Sequence, residues 1–243
     1  YLKQLQDTVF VSKMVKICGI GESKAETMIL DLIEGQSNPT IAPYAKSGEV
    51  HFRVTASAKD TEEANRMLEP ILDELKKRFE NHIYTMNEDE TLEEVIVKLL
   101  HQKNLTLATA ESCTGGLFTG HIVNVPGVSD VLKEGYITYS NESKMHLLGV
   151  KEETLEAFGA VSEQTAREMA EGAAKAAGTD TAVAITGIAG PDGGTPLKPI
   201  GLVYVSCYVK GKVEVKECHF CGNRQKVREQ TVIQALDLLR RNL

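Results

Sequence analysis

Leu105-Thr106-Leu107-Ala108-Thr109-Ala110 runs directly into Glu111-Ser112-Cys113-Thr114-Gly115-Gly116, and the reading of this stretch decides the fold. An apolar strand over Leu105 to Ala110, a Gly-containing turn and a helix over Thr114 to Asn124 make the repeating unit of layered α/β proteins. The same alternation continues on both sides. Upstream, Thr91 stands three residues before Glu94 in capping-box spacing. It opens a helix whose apolar face is Leu92, Val95, Ile96, Leu99 and Leu100. Downstream come a strand (Val131 to Thr138), a short helix (Glu142 to Leu148) and an Ala-rich helix (Ser162 to Ala177). A strand (Thr181 to Ile185), a Gly/Pro-rich loop, two strands around Lys210-Gly211-Lys212 and a last helix from Gln225 complete the order. The two strands joined at Gly211 form an antiparallel hairpin, so the expected domain over residues 88–243 is α-β-α layered with a mixed sheet.

The first 87 residues read differently. Val9 to Ile33 has helical spacing broken at Gly19-Ile20-Gly21, with a second helix opened by Glu22 and Ser23 and carrying Met28, Ile29 and Leu32 on one side. Gly35 to Pro43 reads as loop, Val50 to Val54 as a half-buried strand, and Thr61 to Phe79 as an amphipathic helix. Together these predict a small α+β domain over 1–87, closed by the turn-forming run Asn87-Glu88-Asp89-Glu90. Tyr1 leads straight into patterned sequence, which predicts further protein upstream of it.

A chain of 243 residues with 42% apolar and 25% charged residues fits one large or two modest globular domains. No run approaches the roughly 18 apolar residues of a membrane span, and no membrane partner is expected. The five cysteines are odd in number and irregular in spacing. With an opening that lacks the order of a secretory signal, they predict a reducing, cytoplasmic setting. The net charge of -7 opposes binding to a phosphate backbone, and residues 1–86 hold eleven Lys and Arg against thirteen Asp and Glu. Nucleic acid is therefore not an expected partner.

Three segments carry residues suited to chemistry. The turn Glu111 to Gly116 could offer backbone N–H groups at a helix start to an anion or oxyanion, or be an ordinary capped turn. Within it, Ser112 and Cys113 are both candidate nucleophiles. Tyr139-Ser140-Asn141-Glu142-Ser143-Lys144 brings a phenol and an amine to one strand-to-helix corner. An amine there serves as a base only if burial or neighbouring positive charge lowers its pKa. Thr186-Gly187-Ile188-Ala189-Gly190-Pro191-Asp192-Gly193-Gly194-Thr195 permits close approach to a phosphate or sugar, yet lacks both the P-loop ending and the dinucleotide fingerprint. Arg224 and Arg228, four residues apart near the last helix start, could share a phosphate or be solvated. Cys218-His219-Phe220-Cys221 has no second CxxC, and no histidine has ligand spacing, so neither a metal nor a cofactor is expected.

Taken together, Ala110 to Gly116, Tyr139 to Lys144, Gly159-Ala160-Val161-Ser162 and Thr186 to Pro191 closely resemble the competence/damage-inducible CinA family. Gly19-Ile20-Gly21-Glu22-Ser23 and Pro39-Thr40-Ile41-Ala42-Pro43 look like that family's middle, KH-like segment. The resemblance implies a C-terminal nicotinamide-nucleotide amidase, which hydrolyses nicotinamide mononucleotide to nicotinate mononucleotide and ammonia. It implies Ser112 as nucleophile, Lys144 as general base and Tyr139 as proton-transfer partner. It further implies Thr114, Gly115, Gly116, Thr186 and Gly187 as substrate-binding residues, and Arg224 or Arg228 as phosphate ligand. The family's N-terminal molybdopterin-binding-like domain has no counterpart in this chain, so its hydrolase activity is not expected here. Gly19-Ile20-Gly21-Glu22 departs from the GXXG loop that clamps RNA, placing a carboxylate where phosphate would lie. A connector or homodimerisation role is expected of 1–87. The alternative is a catalytically silent nucleotide-binding module linked to competence or DNA damage.

Overall fold

The structure is a computed structural model that describes residues 8–46 and 48–243. Tyr1 lies outside the described residues, and with it the expectation of upstream sequence. The chain divides into two compact units, one ending at Thr91 and the other starting at Leu92.

The first unit is α+β. Strands β1 (Val9–Cys18), β2 (Thr40–Lys46), β3 (Glu49–Ala58) and β4 (Ile83–Thr85) form an antiparallel sheet in the order β2-β3-β1-β4. Helices α1 (Glu22–Met28), α2 (Leu30–Glu34) and α3 (Thr61–Phe79) accompany it. The helix expected from Val9 is therefore a strand. Phe10, Met14 and Ile17 mimic a helical stripe, but Val9, Val11, Val15 and Ile17 are β-branched and pair along the whole of β3, from Val9 opposite Ala58 to Cys18 opposite Glu49. Alternation then buries Val15 and Ile17 in the core with Phe52, Val54, Leu68 and Phe79. The expected second helix is present as α1 and α2, parted at Ile29. The expected loop ends early, because Thr40 already pairs with Thr55. Pro43 is tolerated there since β2 is an edge strand. Helix α3 begins as its sequence predicts, with Asp60 accepting a 2.8 Å bond from the Glu63 N–H.

The second unit has the expected mixed sheet. Strands β5 (Leu107–Glu111), β6 (Leu132–Ile137), β7 (Thr181–Gly187), β8 (Leu202–Val209) and β9 (Lys212–His219) lie in the order β6-β5-β7-β8-β9. β5 is parallel to β6 and β7, whereas β8 and β9 are antiparallel to their neighbours. One group of helices, α4 (Leu92–Lys103), α5 (Leu117–Val123) and α9 (Arg224–Asn242), packs together. A second group is α6 (Asn141–Leu148), α7 (Glu152–Phe158) and α8 (Glu163–Ala177). Period-two alternation sends Ala108, Ala110, Ala182 and Ala184 to α8, where they meet Met169, Ala170, Ala173 and Ala174. Small side chains on both surfaces let helix and sheet approach closely. Helix α7 fills a stretch that the periodicity left without an element; at seven residues it is too short for a periodic signal.

Candidate active site

Strands β6, β5 and β7 are adjacent and parallel, so their carboxyl ends open on one edge of the sheet, where open α/β sheets bind ligands. Three expected segments therefore converge. Ser112 follows β5 and gives its N–H to the Ile185 carbonyl of β7 at 3.0 Å. Thr138 follows β6 and gives its N–H to the Glu111 carbonyl at 2.9 Å. Thr186 and Gly187 end β7.

Lys144 is only 1% exposed. Its Nζ donates to the Thr138 carbonyl at 2.9 Å, to Ser112 Oγ at 3.3 Å and to the Tyr139 carbonyl at 3.4 Å. Among the described residues no carboxylate pairs with it. Burial lowers its pKa below the ordinary lysine value, against opposing charge from Cys113 and Glu142. Cys113 contributes little to that opposition at neutral pH, because burial pushes its own thiol up to about 11 and keeps it protonated. The same shift separates the two candidate nucleophiles: the hydroxyl of Ser112 lies beside the buried Lys144 amine, and the thiol of Cys113 is held neutral.

The turn after Ser112 differs from expectation. Helix α5 begins at Leu117 rather than Thr114. The buried Glu111 carboxylate occupies its start, accepting from the N–H groups of Gly116 (3.0 Å), Phe118 (3.1 Å) and Thr119 (2.8 Å), and from Thr119 Oγ1 (2.6 Å). Gly115 and Gly116 sit at positive φ, 57° and 94°, as a sharp turn requires. The N–H of Gly115 bonds the Ser112 carbonyl at 3.0 Å. The N–H groups of Gly115 and Gly116 are thus committed inside the turn and are not open to an oxyanion. Those of Cys113 and Thr114 meet no acceptor among the described residues.

Tyr139 is 61% exposed. Its hydroxyl accepts from Arg224 Nη2 at 3.1 Å, so only its main-chain oxygen reaches Lys144 and the expected proton-relay geometry is not formed. Arg224 also donates to the Gly190 carbonyl at 2.9 Å. Ser112, Lys144, Tyr139, Thr186, Gly187 and Arg224 all line one cavity of about 280 Å³. Arg228 does not. It donates to the Thr114 carbonyl at 2.7 Å behind the turn and faces a neighbouring cavity of about 460 Å³, shared with Arg224. Thr186 Oγ1 donates to the Ala160 carbonyl at 2.6 Å. A Cβ on Gly187 would lie 2.6 Å from a Val203 methyl and 2.9 Å from the Leu202 oxygen. The glycine there permits the close pairing of β7 with β8.

The sequence offered Glu111 only as a residue that could orient the turn; the four bonds it accepts at the start of α5 are supplied by the tertiary structure. Among the described residues no group of three or more His, Cys, Asp or Glu could hold a metal ion. None of the described helices is long and apolar enough to cross a membrane.

Residues 89–243 match the model of the CinA C-terminal domain, and residues 12–85 that of the damage-inducible protein CinA KH domain. A putative competence-damage inducible protein of Clostridium novyi is 54% identical over all of this chain, which covers 58% of that protein. Its counterpart in Clostridium tetani is also 54% identical, with 59% of that protein covered. The chain thus spans just under three fifths of the length of these curated relatives. Among solved structures, the competence/damage inducible protein CihA of Agrobacterium tumefaciens is 43% identical with a TM-score of 0.60, over 61% of this chain and 91% of that one. A CinA superfamily protein of Escherichia coli is 34% identical with a TM-score of 0.59, over 67% and 97%.

Proposed function

This chain belongs to the CinA family, with a KH domain followed by a CinA C-terminal domain, and from that premise we propose that its second unit is a serine amidase acting on nicotinamide mononucleotide. The observation that carries the reading is Lys144 Nζ, buried, free of any carboxylate partner among the described residues, and 3.3 Å from Ser112 Oγ. An exposed or ion-paired lysine would stay protonated at neutral pH. Burial shifts one in this setting toward the amine form, which can take a proton from serine.

The neutral amine keeps its N–H bond to the Thr138 carbonyl and turns its lone pair to the Ser112 hydroxyl. Ser112 Oγ adds to the carboxamide carbon as its proton passes to Lys144. The oxyanion is met by the N–H groups of Cys113 and Thr114, a contribution of about 3 kcal/mol for each such donor. Protonated Lys144 then gives its proton to the departing nitrogen, the C–N bond breaks, and ammonia leaves a seryl ester. Water attacks that ester while passing a proton to Lys144. Collapse expels Ser112 Oγ, which recovers the proton, and nicotinate mononucleotide is released. In this scheme Tyr139 and Arg224 act at the cavity mouth on the nucleotide, and Thr186 shapes the wall through Ala160. Glu111 holds the nucleophile turn.

The test is ammonia release from nicotinamide mononucleotide by the chain and by Ser112→Ala. Turnover that disappears in a folded, ligand-binding variant is the expected result. Turnover that survives sinks the nucleophile assignment, and a folded wild type that binds nucleotide without turnover returns the chain to the silent binding-module reading.

A further inference from the structure

The turn between α7 and α8 has four consecutive carbonyls held by side chains. Lys198 Nζ donates to the oxygens of Phe158 (2.5 Å) and Val161 (2.7 Å). Ser162 Oγ (3.1 Å) and Thr165 Oγ1 (2.8 Å) both donate to Gly159, and Thr186 Oγ1 (2.6 Å) donates to Ala160. In a trans peptide the N–H points opposite to the preceding carbonyl. Holding the Gly159 and Ala160 oxygens therefore sets the direction of the N–H groups of Ala160 and Val161. Neither N–H meets an acceptor among the described residues, and both residues line the Ser112 cavity.

Charge says which acceptor suits them. Lys198 donates only to neutral carbonyls, and Arg224 only to a carbonyl and a phenol. Neither cation has a carboxylate partner among the described residues, and the cavity lining contains a single carboxylate, Asp192. Two main-chain donors with two uncompensated cations around them favour a dianionic group over a neutral amide or hydroxyl. We propose that the Ala160–Val161 turn receives the phosphate of the nucleotide, with Lys198 as the positioning residue that holds it. The proposal rests on the amidase reading and adds a phosphate subsite distinct from the nucleophile turn.

The test compares nicotinamide mononucleotide with nicotinamide riboside, which lacks the phosphate, using the full chain and Lys198→Met. The variant should raise KM for the mononucleotide about tenfold with kcat little changed, and leave kcat/KM for the riboside within about twofold. Equal losses on both substrates would mark Lys198 as merely structural and overturn the proposal. In parallel, ¹⁵N-labelled Ser112→Ala is titrated with each compound. The Ala160 and Val161 amide resonances should move with the mononucleotide and stay in place with the riboside. Amides that ignore both, or that follow both alike, overturn it. If the wild type releases no ammonia from either compound, the amidase reading falls by itself, and the amide titration alone decides the phosphate site.

Discussion

Lys144 Nζ lies 3.3 Å from Ser112 Oγ although 32 residues separate them. The approach is built by the sheet: β5 and β6 run parallel and side by side, so the turn after one faces the helix after the other. Ser140 starts that helix by accepting from the Ser143 N–H at 3.1 Å, which directs Lys144 inward from its first turn.

Activity should depend on the neutral form of Lys144. Burial lowers its pKa, so the rising limb of the pH–rate profile is expected below the ordinary lysine value of 10.5. Lys144→Met should cut turnover by about 10²- to 10⁴-fold and abolish that limb. A limb unchanged in residual activity of the variant would assign it to another group.

The same shift makes a stability prediction of definite sign. The native state disfavours a proton that the unfolded chain binds, so the contribution of Lys144 to stability is lowest below its folded pKa and rises with pH up to 10.5. Lys144→Met has no such group. Its Tm relative to wild type should be most favourable near pH 7 and fall as pH approaches 10.5, as scanning calorimetry across that range can check.

Thiol labelling should be selective. Burial pushes Cys113 and Cys218 up to about 11 and Cys207 up to about 12, and Cys18 is buried, whereas Cys221 is exposed. Iodoacetamide at pH 7 should give one adduct, at Cys221, by mass spectrometry of the native protein. Cys113→Ala should retain ammonia release, since the thiol is not the attacking atom.

Glu111→Gln keeps the shape of the cap but replaces an acceptor oxygen with an N–H₂ facing main-chain donors. Loss of a charge-assisted cap in a buried setting should cost about 2 kcal/mol or more in urea unfolding. Because the same carboxylate holds Gly116, kcat should fall with little change in KM. A variant with normal kcat would limit Glu111 to stability.

Gly172→Ala should destabilise strongly, because its Cβ would lie 1.8 Å from the Leu148 carbonyl oxygen where α6 crosses α8. Overpacking of this kind costs about 1 to 3 kcal/mol, and here the obstacle is backbone, which cannot rotate away. The measurement is the urea midpoint at unchanged slope.

Much of the second unit was legible because its signals are local. Apolar strands, the Ala-rich helix that opens at Ser162 and the turn at Gly211 each act over a few neighbouring residues. In the first unit the same reasoning failed at Val9–Cys18, where apolar residues satisfy helical and strand spacing together. The choice there is made by ten pairings with β3 that lie some thirty to fifty residues away.

The sequence by itself determined the family resemblance, the layered order of elements and the segments that carry Ser112, Lys144, Thr186 and Arg224. Only the tertiary structure decided what those segments do to one another. It buries the Lys144 amine against Ser112 and turns the Tyr139 phenol out to Arg224. It also commits the Gly115 and Gly116 N–H groups inside the turn and, among the described residues, leaves those of Cys113, Thr114, Ala160 and Val161 without acceptors. The reason is physical: strand and helix signals are short-range, whereas desolvation of an amine and the partner of an N–H depend on which distant segments the sheet brings together.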